Sequence, residues 1–321
     1  MSALHPSSSG TKSGLVVVLG GLGFIGSHIC RELVARSFRV RIFDKLYSSH
    51  ALVEDIKPYI EIVEGDISRL SDVLRATRDA STVIHLIHTT VPGSSMDDPS
   101  YDITSNVVAS VKWLSHLAET RIRRILYFSS GGTVYGIPCS NPIDENHPTN
   151  PISSYGITKL AIEKYLAIYA SLYGIEHYIL RPSNVYGPGQ QLDIGQGVIG
   201  VMARHALRGE PIEIWGTGEA IRDYLYIDDM VTATIVLLAY EGPHRIFNVS
   251  GGEGYSLLDI IAILSSKIGS LTKIHKPDRG FDVPMNVLDS SRICTETGWR
   301  PQIPLEEGIA RTIKWLTGVS K

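Results

Sequence analysis

Short apolar runs rich in β-branched residues alternate with longer helical stretches over the first half of the chain, and this alternation limits the fold more than any other feature. It is typical of parallel strands joined by crossover helices. Because the runs are continuously apolar, helices are expected to cover the strands on both faces. The pattern predicts an α/β fold with a doubly wound parallel sheet and strands at Leu15–Leu19, Arg39–Phe43, Ile60–Glu64, Thr82–Ile87, Ile125–Ser129 and His177–Arg181.

The regular alternation ends after the sixth strand, where a loop rich in glycine, proline and glutamine spans Tyr186–Gln196. A helix is predicted at Val198–Arg208, followed by shorter elements of mixed order. Two later apolar segments, Met230–Tyr240 and Arg245–Val249, are expected to return to the first sheet. The predicted parts are therefore a loose tail (1–13), a Rossmann-type first domain (14–187, with a return near 228–250) and a smaller C-terminal substrate lobe (188–321).

Charge and composition exclude several classes of protein. The net charge is −3 and no basic stripe is present, so a nucleic-acid partner is not expected. The longest apolar runs, Leu15–Ile25 and Met230–Tyr240, are shorter than the ~20 residues that a bilayer requires, so no membrane span is expected. Cys30, Cys139 and Cys294 cannot all pair and match no zinc motif, which predicts a cytoplasmic protein without a structural metal.

Glycine-rich sequence follows the first predicted strand and precedes a helix predicted at Ser27–Ala35. Gly20, Gly23 and Gly26 are spaced as in turns that bring the backbone close to a pyrophosphate at a helix N-terminus. Glycines at this spacing also occur in purely structural turns. Asp44, at the end of the second strand, stands where an acidic residue accepts hydrogen bonds from the adenosine ribose and disfavours a 2′-phosphate. Together these features predict bound NAD.

A second acidic residue, Asp66, follows the third strand. It could accept a hydrogen bond from the adenine amino group, and a solvated loop aspartate is the alternative interpretation.

Tyr155 and Lys159 are four positions apart, on one face of a helix predicted at Ser153–Leu172. This helix follows the serine-rich strand end Ser129–Thr133, at the sheet edge where open α/β folds bind ligands. Removal of a hydride from a secondary alcohol needs a base for the hydroxyl proton. Lys159 and a positively charged nicotinamide could lower the pKa of the Tyr155 phenol enough for that role. The alternative is an exposed pair on a solvated helix face.

With these motifs in place, the chain resembles the extended short-chain dehydrogenase/reductase family, and in particular its NAD-dependent sugar-nucleotide epimerases and dehydratases. The resemblance extends from Leu15 to Trp315. It is carried by Gly20–Gly26, Tyr155–Lys159, Arg181–Gln190, Arg222–Asp229, Phe247–Ser250, Arg279–Val283 and Thr297–Pro301.

The resemblance implies further site residues. Asn184 would contact substrate phosphate or sugar, and Arg222 and Arg279 would clamp the nucleotide pyrophosphate, although each arginine could instead form a surface salt bridge. Trp215 could pack on the base or belong to the core. The remaining contacts implied by the resemblance are Phe24, Ile25, Ile67, Leu86, Asn106 and Pro182 for the cofactor, and Thr133, Tyr155, Val198 and Asn286 for the substrate.

Two positions depart from the family pattern. Gly131 stands where relatives usually carry a serine or threonine that hydrogen-bonds the reacting sugar hydroxyl, so Ser130 or Thr133 would have to supply that group. His88 stands where the fourth strand of relatives usually ends in alanine. It could face the nicotinamide or substrate, or be a satisfied structural histidine.

The predicted reaction depends on an acid pair that is absent from the end of the fifth strand, Ser129–Thr133. Dehydratases of the family carry an Asp-Glu pair at the positions of Gly132 and Thr133, so elimination of water is not expected here. The preferred prediction is 4-epimerisation of a UDP-sugar, with NAD retained. An NAD(P)H-dependent reductase of a nucleotide-linked 4-keto-6-deoxy sugar is the second, and a catalytically silent NAD-binding scaffold the third.

The sugar and the assembly are also inferred from relatives. A tyrosine seven positions beyond the second clamping arginine excludes N-acetyl groups in similar 4-epimerases, and this chain has Asn286 there. UDP-N-acetylhexosamines are therefore expected to enter as well as UDP-hexoses. Related enzymes dimerise through the helix that bears the tyrosine and a neighbour near Asn106–Ala118, so a homodimer is expected by analogy.

Overall fold

A computed structural model describes residues 14–193, 197–277 and 283–319. The predicted tail and Arg279 lie outside these residues. The strands are β1 (Leu15–Leu19), β2 (Arg39–Asp44), β3 (Ile60–Glu64), β4 (Ala80–His85), β5 (Arg124–Phe128), β6 (Glu176–Pro182), β7 (Asn184–Tyr186), β8 (Ile212–Trp215), β9 (Ile221–Tyr226), β10 (Ile246–Val249), β11 (Gly254–Ser256), β12 (Lys273–Lys276) and β13 (Met285–Asn286).

The α-helices are α1 (Phe24–Ala35), α2 (Leu70–Thr77), α3 (Pro99–Asp102), α4 (Ala109–Leu114), α5 (Ser154–Tyr173), α6 (Val198–Arg208), α7 (Ile227–Leu238), α8 (Leu257–Ile268), α9 (Ser291–Thr297) and α10 (Leu305–Val319). Short 3₁₀ helices span Ala51–Tyr59, Ser94–Met96 and Leu117–Glu119, and a π-helical turn at Ile103–Val108 joins α3 to α4.

Seven parallel strands form the large sheet, in the order β3-β2-β1-β4-β5-β6-β10. Alternate residues of one strand reach opposite faces, as the pleat requires. Val16 and Val18 belong to the core on the side of α1 and α7, whereas Val17 and Leu19 belong to the core on the side of α4 and α5. The predicted doubly wound sheet is therefore confirmed.

The strand order reverses between β1 and β4. In open α/β sheets, ligands bind beyond the carboxyl ends of the strands at such a switch point. The glycine-rich turn after β1 and the segment after β4 meet here, where the Leu86 N–H donates to the Leu19 carbonyl oxygen over 2.9 Å.

The later part of the chain forms a four-stranded sheet, in which β9 pairs with β7, β11 and β13, and a two-stranded sheet of β8 and β12. β10 leaves this region and joins the large sheet beside β6. Because β7 follows β6 almost directly, the second sheet begins next to the carboxyl edge of the first. The two sheets therefore meet on the same edge as the switch point, two strands away from it along the sheet.

Helix α5 carries the predicted tyrosine and lysine. Ser153 caps its N-terminus by accepting a hydrogen bond from the Gly156 N–H over 3.2 Å, and Gly174 ends it with φ +65°. The helix therefore begins and ends one residue later in the chain than predicted. Its first turn lies at the sheet edge, beside the loop that follows β5.

Candidate active site

The turn after β1 has the backbone geometry that its glycines predicted. Gly20 adopts φ +91°, and a Cβ at Gly26 would overlap the Gly20 carbonyl oxygen and lie 2.7 Å from the Gly21 Cα. These two glycines are therefore required by the turn and by the packing of α1 against it. Phe24 and Ile25 form the first turn of the helix.

Gly23 differs from these glycines, because a Cβ there would meet only the Gly20 carbonyl oxygen, at 3.4 Å. Gly23 is also the N-cap of α1, and no side chain caps this helix end. The first N–H groups of α1 are thus left for a partner, and positive partial charge is concentrated at the same place. This arrangement fits a dinucleotide pyrophosphate.

Asp44 is tied to the glycine-rich turn. One carboxylate oxygen accepts from the Leu22 N–H at 3.0 Å, and the other accepts from the Lys45 N–H at 2.9 Å and the Ser48 hydroxyl at 3.1 Å. The carboxylate is therefore fixed at the edge of the cradle, where an adenosine ribose would lie.

Asp66 is exposed and accepts two hydrogen bonds from Ser68, which lower its carboxyl pKa. It forms a local turn beside the half-buried Ile67. Its predicted contact with adenine stays a prediction.

Tyr155 and Lys159 lie close to each other in the first part of α5, at the carboxyl edge of the large sheet. The Lys159 ammonium group is 5.7 Å from the centre of the Tyr155 ring and 5.2 Å from that of Tyr127. It donates a hydrogen bond to the Phe128 carbonyl oxygen over 2.6 Å. The Lys159 residue is only 3% exposed, so the pair is not on a solvated helix face.

Burial dominates the electrostatics of this pair. It lowers the pKa of Lys159 to about 7, against the opposing charges of Glu163 and Asp102. It also raises the pKa of the Tyr155 phenol, and the Asp102 carboxylate raises it further. The protein alone therefore keeps the phenol protonated. A positive charge on a bound group, such as an oxidised nicotinamide, is the kind of perturbation that would oppose these effects.

The loop after β5 has no room for a side chain at Gly131. A Cβ there would overlap Leu288 Cδ1 and would lie 3.0 Å from the Arg181 carbonyl oxygen. Ser130 is half-buried, and the Thr133 hydroxyl is buried without a hydrogen-bond partner in the described parts of the chain. The Thr133 hydroxyl therefore has unused hydrogen-bonding capacity close to Gly131, the position where relatives usually carry a serine or threonine.

Asn286 lies directly beside Gly131. It is 3% exposed and its amide donates to the Gly131 carbonyl oxygen over 3.4 Å. In the sheet, its Cα is the register partner of that of Arg222. The structure therefore brings together the strand-five loop, the predicted phosphate clamp and the predicted determinant of sugar size.

Other predicted substrate residues lie around the second sheet. The exposed Asn184 donates to the Asp223 carbonyl oxygen over 3.0 Å, and the half-buried Arg222 donates to the Val283 carbonyl oxygen over 2.6 Å. Trp215 is 38% exposed, so it is not a core residue. Val198 is the first residue of α6.

Asn106 lies at the end of the segment that follows β4. Its side-chain oxygen accepts from the Thr89 N–H at 2.9 Å, and its amide donates to Asp102 over 2.9 Å. Asn106 thus fixes the loop beyond Leu86. Pro182, on the other side of the site, accepts the Gly131 N–H at 2.9 Å. Their cofactor contacts stay predictions.

Asp102 was missed by the sequence analysis. It is fully buried and accepts hydrogen bonds from Thr90, Ser154 and Asn106, and His88 lies 3.4 Å from it. Its partners come from three separate segments, so no local motif marks it. The spacing of Asp102 and Asn106, four residues apart on one helical turn, was the available signal.

Within the described ranges, no three histidine, cysteine or acidic side chains are placed to hold a metal ion. No helix of those ranges is long and apolar enough to cross a membrane.

Comparison with known proteins gives one consistent family. Residues 16–250 match the model of the NAD dependent epimerase/dehydratase family. A putative UDP-glucose 4-epimerase of Methanocaldococcus jannaschii is 35% identical over 304 residues, which cover 94% of this chain and 98% of that protein. A dTDP-4-dehydro-6-deoxyglucose reductase of Escherichia coli is 35% identical over 312 residues, which cover 93% and 96%.

Among solved structures, the UDP-glucose 4-epimerase of Thermotoga maritima with UDP-glucose superposes with a TM-score of 0.90 at 31% identity, over 96% of this chain and 100% of that one. The relatives thus include both epimerases and a reductase. The chain belongs to the NAD-dependent epimerase/dehydratase family, as its motifs predicted.

Proposed function

We propose that the protein catalyses NAD-dependent 4-epimerisation of a UDP-sugar, interconverting UDP-glucose and UDP-galactose and also accepting UDP-N-acetylglucosamine and UDP-N-acetylgalactosamine. The observation that carries this proposal is the pairing of the half-buried Tyr155 with the buried Lys159 at the switch point, beside a loop that has Gly132 and Thr133 in place of an acid pair. Oxidation at C4 can then be followed by return of the hydride but not by elimination of water.

In this proposal, Tyr155 removes the proton from the C4 hydroxyl and later returns it to the carbonyl oxygen of the 4-keto sugar. Bound NAD would accept the hydride from C4 and later return it to the same carbon. Lys159 adds positive charge beside the phenol. The half-buried Ser130 and the unpaired hydroxyl of Thr133 are the groups able to hydrogen-bond the reacting oxygen in place of a side chain at Gly131.

The remaining proposed roles divide between a domain that binds the cofactor and a lobe that binds the UDP-sugar. Residues 14–187, with the return near 228–250, form the NAD-binding domain, and residues 188–321 form the nucleotide-sugar lobe. The cofactor would be held by Gly20, Gly23, Phe24, Ile25, Gly26, Asp44, Asp66, Ile67, Leu86, Asn106 and Pro182, with Tyr155 and Lys159. The UDP-sugar would be held by Thr133, Asn184, Val198, Trp215, Arg222, Arg279 and Asn286.

Asn286 sets the width of the sugar site in this proposal. It is buried against the Gly131 carbonyl oxygen, at the level of the reacting loop. The substitution Asn286→Tyr fills this space and is expected to lower turnover of the N-acetylated substrate more than that of UDP-glucose. Unchanged turnover of both substrates would remove the basis for the N-acetyl assignment.

The proposal is tested by incubating purified protein with UDP-glucose, and separately with UDP-N-acetylglucosamine, without added cofactor. Proton NMR then follows the appearance of the C4 epimers. Conversion that is lost in Tyr155→Phe supports retained NAD and a tyrosine base. Absence of conversion even with added NAD would overturn the epimerase proposal.

Reduction of a 4-keto-6-deoxy sugar nucleotide is the second candidate. It is favoured by the 35% identity to the Escherichia coli reductase, which covers 93% of this chain. Consumption of NADPH or NADH that requires a dTDP- or UDP-4-keto-6-deoxy sugar would establish this activity.

A homodimer is proposed from one exposed apolar face. Tyr165, Ile168 and Leu172 form a helical stripe on α5 and are 41%, 54% and 66% exposed. Ile103 and Val108 of the neighbouring π-helical turn are 44% and 39% exposed. Such a face is typical of an association surface.

A cytoplasmic location is proposed from the cysteines, which are all free thiols in the described residues.

A further inference from the structure

We propose that Asp102 and His88 form a carboxylate–imidazole pair that positions Tyr155 and sets the charge that its phenol experiences. This inference rests on the role proposed for Tyr155 in the reaction. Its evidence is the hydrogen-bond network between α3, the segment after β4 and the first turn of α5.

Asp102 is the last residue of α3 and has no exposed surface. Its carboxylate accepts from the Thr90 hydroxyl at 2.5 Å, the Ser154 hydroxyl at 2.7 Å, the Asn106 amide at 2.9 Å and the Thr158 hydroxyl at 3.2 Å. Burial alone would raise the pKa of this carboxyl, but the hydrogen bonds of His88, Thr90 and Ser154 outweigh it and leave the pKa lowered. Asp102 is therefore a fixed buried negative charge.

His88 contacts the Asp102 carboxylate through only one of its two ring nitrogens. Its Nε2 lies 3.4 Å from Asp102 Oδ1, whereas its Nδ1 is buried without a partner in the described residues. The Nε2 atom also lies 3.4 Å from the Thr158 hydroxyl, which is itself within reach of Asp102. Because the carboxylate can only accept, we assign the proton of the neutral imidazole to Nε2. Burial and Lys159 lower the pKa of His88 to about 4, which keeps the ring neutral near pH 7.

Both members of the pair contact the Tyr155 region. The His88 and Tyr155 rings meet edge to face, with centroids 4.5 Å apart and planes at 67°. Ser154, which precedes Tyr155, donates to Asp102, and the Thr158 hydroxyl lies within hydrogen-bonding distance of both Asp102 and the Tyr155 carbonyl oxygen. The pair therefore fixes both the ring and the backbone of the proposed base.

The charges around the phenol have definite signs. Asp102 from α3 disfavours the phenolate, Lys159 from α5 favours it, and Glu163, one turn further along α5, supports the charged form of Lys159. His85 at the end of β4 and His88 after it are neutral near pH 7, as is Tyr127 of β5. The N–H of His88 offsets part of the Asp102 charge.

Two substitutions should therefore move the pKa of Tyr155 in opposite directions. Asp102→Asn removes the negative charge at constant size and is expected to lower that pKa by about one pH unit. His88→Phe keeps the aromatic edge and fills the same space, but it removes the donor to Asp102 and should raise the pKa. Ser154→Ala removes a different donor and should raise it also, whereas Thr104→Ala, whose exposed hydroxyl donates to the Ser100 carbonyl oxygen, should leave it unchanged.

The experiment labels tyrosine with ¹³C at Cζ, assigns the Tyr155 signal by its loss in Tyr155→Phe, and titrates each variant by NMR. Opposite shifts in Asp102→Asn and His88→Phe support the proposal, and the acid limb of the kcat profile should move with them. Shifts in the same direction, or none in folded variants, would overturn it. If Asp102→Asn does not fold, the shifts of His88→Phe and Ser154→Ala, each compared with Thr104→Ala, decide. The titration needs no substrate, so failure of the epimerase proposal would appear separately, as absent turnover of the wild type.

Discussion

A hydroxyl-bearing side chain at position 131 should destabilise the protein unless Leu288 is shortened at the same time. A Cβ at Gly131 would overlap Leu288 Cδ1 and lie 3.0 and 3.1 Å from the carbonyl oxygens of Arg181 and Pro182. Leu288 is 1% exposed and packs with Val134 in a small core cluster. Gly131→Ser should therefore lower the free energy of unfolding by about 1–3 kcal/mol through overpacking.

Leu288→Ala alone should lower the free energy of unfolding by about 2–5 kcal/mol, because it leaves a cavity. In the double variant Gly131→Ser/Leu288→Ala, the new side chain occupies part of that cavity. The two losses should then fail to add, by at least about 1 kcal/mol. Urea unfolding of the four proteins measures this coupling.

The matched control is Gly131→Ala/Leu288→Ala, which fills the cavity without a hydroxyl. If the hydroxyl assists proton transfer at C4, the serine double variant should turn over faster than the alanine one, although the two have similar stability. Additive losses of stability would refute the packing argument. Equal turnover of the two double variants would refute the role of the hydroxyl.

Four further predictions follow from the buried groups and the exposed face. Tyr155→Phe should lower kcat by about 10²–10⁴-fold with little change in UDP-sugar affinity, measured by initial rates and calorimetry. Because burial lowers the pKa of Lys159 to about 7, the native state binds fewer protons than the unfolded state between about pH 7 and 10. Its stability relative to Lys159→Met should therefore rise from pH 7 to 9.5 in chemical denaturation, and an unchanged difference would contradict the burial argument. Glu163→Gln leaves the buried Arg181 uncompensated and should lower the free energy of unfolding by about 3–5 kcal/mol, whereas a loss below about 1 kcal/mol would contradict the pairing. Ile168→Glu on the exposed face should convert the proposed dimer to a monomer in sedimentation velocity, while circular dichroism shows that the chain remains folded.

The fold was predictable because its determinants are local. β1 is a contiguous apolar run and β3 an apolar run interrupted by glutamates, and both have the predicted bounds. The fourth strand was placed at Thr82–Ile87 but spans Ala80–His85. Leu86 and Ile87 continue the apolar run because they pack beside the glycine-rich turn, where Ile87 lies next to Gly20, and not because they extend the strand.

The candidate site was predictable only where its residues are close in sequence. Tyr155 and Lys159 share one helix face, and the glycines share one turn. The contacts of Asp102 with Ser154 and of Gly131 with Leu288 join segments far apart in the chain, so spacing gives no sign of them. The raised pKa of Tyr155 was likewise not foreseen, because it depends on burial and on the unrecognised charge of Asp102.

The central claim is that Tyr155 serves an oxidation at C4 in which the hydride returns to the same carbon. It is tested most directly with UDP-glucose that carries deuterium at C4, incubated without added cofactor. The account predicts UDP-galactose that retains deuterium at C4, as measured by mass spectrometry and by the missing H4 signal in proton NMR. Loss of the label to solvent, or conversion that depends on added NADPH, would contradict it.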